Sequence, residues 1–180
     1  MSAMADSGPS RSGAERHGRL EVEIVRHAGD WDRAMIAEAM LKRAAKAAFA
    51  AAPPPSATNF EVTIVLTDDL EMRALNRSWR GQDAPTNVLS FPAGEGVSEG
   101  LIGDVVLGHE TVSREARELG IPLSDHVSHL VVHGVLHLLG FDHARDDAAA
   151  AMEKRESQAL ASLNIADPYA EGGEAEEVSP

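Results

Sequence analysis

The sequence predicts an α+β fold: a small mixed sheet covered by helices, with one helix buried at the centre. Three observations lead there. Short segments alternate apolar and polar residues as strands do, longer segments between them carry helical periodicity, and residues 124–139 are apolar almost all the way round. Aromatic residues make up only 4% of the chain while Ala, Val, Leu and Ile are plentiful, so helices on a small sheet are easier to build than an all-β sandwich. Composition alone leaves α+β and α/β open.

Leu20, Val22 and Ile24 alternate with Glu21 and Glu23, the period of a strand with one wet face. Residues 30–52, rich in Ala, Leu, Met and Lys and stopped by Pro53-Pro54-Pro55, read as one long helix. Phe60, Val62, Ile64 and Leu66 form a second strand, and Asp68 with Glu71 has the spacing of a capping box that opens a helix ending near Gly81. After a polar loop containing Pro85, residues 88–91 give a third strand closed by Pro92, and 94–100 a flexible connection. Residues 101–107 are a β-branched strand interrupted by Gly103-Asp104, which places a carboxylate inside it. An amphipathic helix over 110–119 stops at Gly120. Ser124 or Asp125 can cap the buried central helix, and a last helix over about 146–163 packs back through Met152, Leu160 and Leu163.

A chain of 180 residues suits one domain. Residues 1–19 read as a disordered N-terminal extension, 20–166 as a single domain, and 167–180 as an acidic disordered tail carrying Asp167, Glu171, Glu174, Glu176 and Glu177 with no basic residue. Neither a secretory-type apolar core nor a run of membrane-spanning length is present, so the expected compartment is the cytoplasm and no membrane partner is expected. With no cysteine, disulfides, thiolate nucleophiles and cysteine metal sites are excluded, and any transition-metal site must use histidine and carboxylate. The formal charge of −13 is awkward for a nucleic-acid partner, whose phosphates are held mainly by Lys and Arg.

On the central helix His133 and His137 are four residues apart, so both imidazoles project from one face and can meet one ion. Gly140 permits a left-handed turn that can return the chain and set His143 beside them as a third ligand. Three neutral imidazoles leave one position of a tetrahedral ion open, where a bound water falls to a pKa of roughly 7 or a phosphoryl oxygen is polarised. A single histidine on an apolar helix is usually a hydrogen-bonded core residue; three at this spacing predict a catalytic transition metal, zinc first among them. His129, one turn before His133 on the same stripe, is an alternative ligand. His126 and His109 suit solvated or capping roles, and the basic patch of Lys42, Arg43 and Lys46 suits a solvated helix face better than an RNA contact.

The same ligand spacing occurs in the metzincin peptidases, whose signature begins His-Glu-x-x-His. That glutamate is the general base of peptide hydrolysis, and here its position is Gly134, which disfavours peptidase chemistry. The string His133-Gly134-Val135-Leu136-His137-Leu138-Leu139-Gly140-Phe141-Asp142-His143 instead resembles the hallmark of the bacterial YbeY family of rRNA maturation endoribonucleases. Arg73-Ala74-Leu75-Asn76, Trp79-Arg80-Gly81, the run from Pro85 to Pro92, and Gly103-Asp104 resemble that family's other blocks in the same order.

The resemblance implies an α+β domain with a cleft, and one zinc ion held by His133, His137 and His143 with a water as the fourth ligand. It implies endonucleolytic cleavage of single-stranded RNA in rRNA processing, ribosome maturation and ribosome quality control. Partners would be rRNA and the ribosome or its proteins, and not DNA. Arg80 matches the family's functionally important arginine and Asp104 a carboxylate of its cleft, so both are candidate catalytic residues, with Arg80 also binding substrate. A guanidinium suits that work, since it can hold a phosphodiester by two parallel hydrogen bonds. Asp142, beside a ligand, can orient an imidazole or cap the broken helix.

Two other functions stand beside this one: a metal-dependent hydrolase of some other bond, and a ribosome assembly factor whose metal mainly holds the fold. The acidic balance suits the assembly factor. It also requires an RNA enzyme to concentrate positive potential locally or to borrow affinity from a ribosomal partner.

Overall fold

The computed structural model describes residues 18–55, 58–94, 100–143 and 145–170. The expectations for residues 1–17, for most of the 94–100 connection and for 171–180 lie outside the described residues. Strands β1 (Leu20–Arg26), β2 (Phe60–Thr67), β3 (Val88–Pro92) and β4 (Leu101–Gly108) form one sheet in the order β1-β2-β4-β3. β1, β2 and β4 run parallel, each linked to the next by a crossover, while β3 returns antiparallel along β4. The mixed sheet expected of an α+β domain results.

Helices α1 (Glu38–Ala51) and α4 (Leu123–Leu138) cover one face of the sheet, α5 (Asp146–Ser162) packs on those two helices, and α2 (Asp69–Arg80) packs on the other face. α3 (His109–Leu119) follows β4 without a loop. On α1, Leu41, Ala44, Ala45 and Ala48 have no exposed surface, and such small side chains let the helix lie close against α4. Under α2 a smaller cluster of Met72, Leu89 and Val106 is buried. No helix of the described residues is long and apolar enough to cross a membrane.

The long helix expected over 30–52 begins only at Glu38. Residues 28–35 form bends and turns in which Gly29 has φ 84° and Met35 φ 55°. A tertiary contact overrides the local helical preference: Trp31 is 1% exposed, and its indole nitrogen donates to the Thr67 carbonyl at 2.9 Å. The expected cap of α2 is present, Asp68 accepting from the Glu71 amide at 2.9 Å.

Neither Ser124 nor Asp125 is the N-cap of α4. Pro122 holds that place without a side-chain cap, and the helix starts at Leu123. Asp125 still puts a carboxylate in the first turn, where the helix dipole favours it.

Beyond α5 the described residues continue to Ala170. After α5 the chain turns at Asn164, with φ 58°, and the Ile165 amide bonds back to the Leu160 carbonyl at 3.0 Å. Asp167 then accepts from the Ser157 hydroxyl at 3.0 Å, so residues 164–170 are folded onto α5.

Candidate metal centre

The site grows out of the C-terminal end of α4. Val127, Val131, Val132, Val135 and Leu136 are fully buried, and that anchoring leaves His133 and His137 half-buried on one face. Beyond Leu138 the chain closes with the Phe141 amide donating to the Leu136 carbonyl at 3.1 Å and the Gly140 amide to the His137 carbonyl at 3.0 Å. This is a Schellman turn, and it needs a residue in the left-handed region; Gly140 supplies it with φ 94°. The turn sends the chain back, and His143 arrives exposed beside the two helical rings.

The three imidazoles meet through their Nε2 atoms, His133 to His137 at 3.1 Å and His133 to His143 at 3.4 Å. Two ligands of a tetrahedral zinc ion stand about 3.3 Å apart when each is about 2.0–2.1 Å from the metal. The other ring nitrogens explain why those Nε2 atoms point inward bare. His133 Nδ1 donates to Glu156 Oε1 at 2.5 Å and His137 Nδ1 donates to the Phe141 carbonyl at 2.9 Å. A carboxylate and a carbonyl only accept, so both neutral rings carry their proton on Nδ1 and turn an Nε2 lone pair to the centre. Converging lone pairs repel one another unless a cation stands between them. Burial, followed by the neighbouring His133, lowers the pKa of His137, which keeps that ring neutral and able to ligate.

Glu156 is the residue that sequence reasoning missed. It has no exposed surface and accepts from His133 on one oxygen and from the Tyr169 hydroxyl on the other. Burial alone would raise its pKa, but the imidazoles of His129 and His133 and the Tyr169 hydroxyl around it outweigh that and hold the carboxyl well below its usual range. A signal was available. Glu156 lies four residues after Met152 and four before Leu160, a charge on the apolar stripe of α5.

His129, the alternative ligand, turns toward Glu156 instead, with Nε2 3.5 Å from Oε2. His129, His133 and Glu156 form a second close group among the described residues. The 2.5 Å separation of His133 and Glu156 is that of a hydrogen bond, shorter than two ligands of one ion can approach. The first group is therefore the better candidate to hold a metal ion. His126 is neither solvated nor a cap: it is 6% exposed and paired to Glu115 at 2.8 Å. His109 lies edge-on to Trp31 at 5.1 Å.

Arg80 and Asp104 are not members of either close group among the described residues. Arg80 is the exposed last residue of α2. Asp104 sits half-buried in β4, opposite Thr63 and Phe91. Ser90 and Val105 face α4, where the Ser90 hydroxyl donates to the Gly134 carbonyl at 3.1 Å. Strand alternation then turns Phe91 and Asp104 to the opposite face, the side on which α2 packs.

An α+β domain whose central helix and following turn converge three imidazoles that could hold a metal ion has the make-up of a metal-dependent hydrolase. Residues 28–164 match the family model for Endoribonuclease YbeY. The chain belongs to that family. It is 46% identical over 159 residues to the Endoribonuclease YbeY of Sinorhizobium medicae (strain WSM419), a match covering 83% of this chain and 95% of the relative. With the Endoribonuclease YbeY of Bradyrhizobium diazoefficiens it is 44% identical over 179 residues, covering 95% and 97% respectively. The solution structure of TM1509 from Thermotoga maritima shares the fold, with a TM-score of 0.51 at 23% identity over 83% of this chain and 99% of that one.

Proposed function

We propose that this chain is a zinc-dependent endoribonuclease that cleaves single-stranded RNA during rRNA maturation, with metal ligands His133, His137 and His143. Membership of the family makes it a hydrolytic endoribonuclease. The observation that carries the metal is the convergence of Nε2 atoms whose rings are held by acceptors on the far side. Without thiolates, a set of three imidazoles suits zinc among the divalent ions. When bound, the ion supplies polarisation of a phosphoryl oxygen and acidification of water. Everything else is the work of the chain: Glu156 and the Phe141 carbonyl fix the two helical rings, and the exposed side of His143 leaves the centre open to substrate.

Arg80 grips a phosphate of the RNA strand beside the metal. Its guanidinium, exposed at the end of α2, is free to hold a phosphodiester and to stabilise charge developing on it. Asp104 is assigned to the same side of the substrate path. The net charge of −13 calls for help in binding RNA, so the proposal includes a ribosome or ribosomal-protein partner and a cytoplasmic place of action, in ribosome quality control as well as maturation.

Stripping the purified protein with a chelator should abolish cleavage of a labelled single-stranded RNA, and added zinc should restore it, with the duplex form of the same RNA resistant throughout. Full cleavage by the stripped protein would remove the metal from the mechanism. Arg80→Glu should keep its metal and lose cleavage by about ten- to a hundredfold, the worth of a charged hydrogen bond. Unchanged turnover and KM in that variant would take Arg80 out of the substrate path.

A further inference from the structure

The ring of His133 is held by Glu156, and Glu156 is held in turn by a residue far along the chain. Its Oε2 accepts from the hydroxyl of Tyr169, while Oε1 faces His133 Nδ1 at 2.5 Å. Tyr169 belongs to the stretch read from the sequence as tail. It is fixed there by its own amide, which donates to Asp167 Oδ1 at 2.9 Å, and by Asp167 accepting from Ser157 on α5 at 3.0 Å. Its ring meets His129 edge-on at 6.3 Å.

We propose that Tyr169 is a positioning residue of the metal centre, acting through Glu156 on His133, so that residues 164–169 are part of the site rather than an appendage to it. The inference rests on the zinc reading above. A carboxylate with no exposed surface must have both oxygens bonded, since neither can turn to water. Tyr169 occupies one oxygen and thereby fixes the rotation of the carboxylate, which aims the other at His133. Without the hydroxyl, Oε2 is left with His129 Nε2, 3.5 Å away, as its nearest donor, and the carboxylate tilts to close that gap. The tilt moves Oε1, the acceptor that sets the tautomer of His133 and its angle to the ion. By linkage the effect runs both ways: a metal that fixes His133 also favours the docked form of residues 164–169.

The test uses the full chain and its Tyr169→Phe variant, both stripped of metal. Zinc affinity is read by competition with a chromogenic chelator, and the visible spectrum of the cobalt-loaded forms is recorded. Loss of the hydroxyl should weaken zinc binding about tenfold, as for other partners that orient metal ligands, and alter the cobalt bands. Equal affinity with an unchanged cobalt spectrum overturns the role of Tyr169 and leaves the metal centre standing. A wild-type chain that takes up neither ion overturns both. Should the variant fail to fold, hydrogen exchange in the wild type decides instead. Amides of residues 165–170 should exchange more slowly once zinc is added, and exchange indifferent to zinc sinks the proposal.

Discussion

Replacing His133 by alanine is expected to remove metal and RNA cleavage together, with cleavage falling by more than about a hundredfold, beyond the usual loss for a residue that only orients a ligand. His133 is the ring the centre turns on: it stands 3.1 Å from His137 and 3.4 Å from His143 by its Nε2, and bonds Glu156 by its Nδ1. Its loss breaks the chelate and also takes a donor from a buried carboxylate, which should cost about 1–3 kcal/mol of stability. His143→Ala makes the contrast. That ring lies exposed beyond the helix, so its removal should empty the site while leaving stability nearly unchanged. Elemental analysis, cleavage of a labelled single-stranded RNA and urea unfolding of both variants read the three quantities. Metal retained by His133→Ala would place the ligands elsewhere, and undiminished cleavage without metal would separate the nuclease from this centre.

The parts of the site legible in the sequence are those made by local geometry. His133 and His137 share a face because they are one helical turn apart, and Gly140 announces the turn that brings in His143. Asp68 caps α2 for the same reason, its partner being three residues away. Contacts made across the fold were not legible in that way. Glu156 reaches His133 from 23 residues downstream, and only its place on an apolar stripe marked it. Trp31 belongs to a stretch of helical composition, yet a bond to Thr67 from 36 residues away pulls it out of α1. Tyr169 sits amid tail-like acidic composition, which hides a side chain that docks. The assignments of Arg80 and Asp104 came from family resemblance, and strand alternation now puts Asp104 on the sheet face away from α4.

Gly134→Glu, the change that would write the peptidase signature into this chain, should unfold the protein rather than convert it. The sequence says only that glycine offers no base at this position. The structure gives the physical reason no side chain fits: a Cβ on Gly134 would stand 2.7 Å from Val105 Cγ1, 3.1 Å from Val105 Cγ2 and 3.2 Å from Ser90 Oγ. α4 lies against β3 and β4 at a separation that a hydrogen atom allows and a methyl group does not, and the Ser90 hydroxyl bonding to the Gly134 carbonyl at 3.1 Å holds it there. Alanine should therefore cost about 1–3 kcal/mol by overpacking, despite its better helix propensity. Glutamate adds an unpaired buried charge and should cost more than about 3 kcal/mol. Urea unfolding measures both, and wild-type stability in the glutamate variant would show that the helix is not seated as described. Because His133 is the preceding residue on the same turn, even the alanine variant should shift the ring that carries the centre. Its zinc affinity should fall with its stability, which makes the glycine a condition of the metal site as well as of the packing.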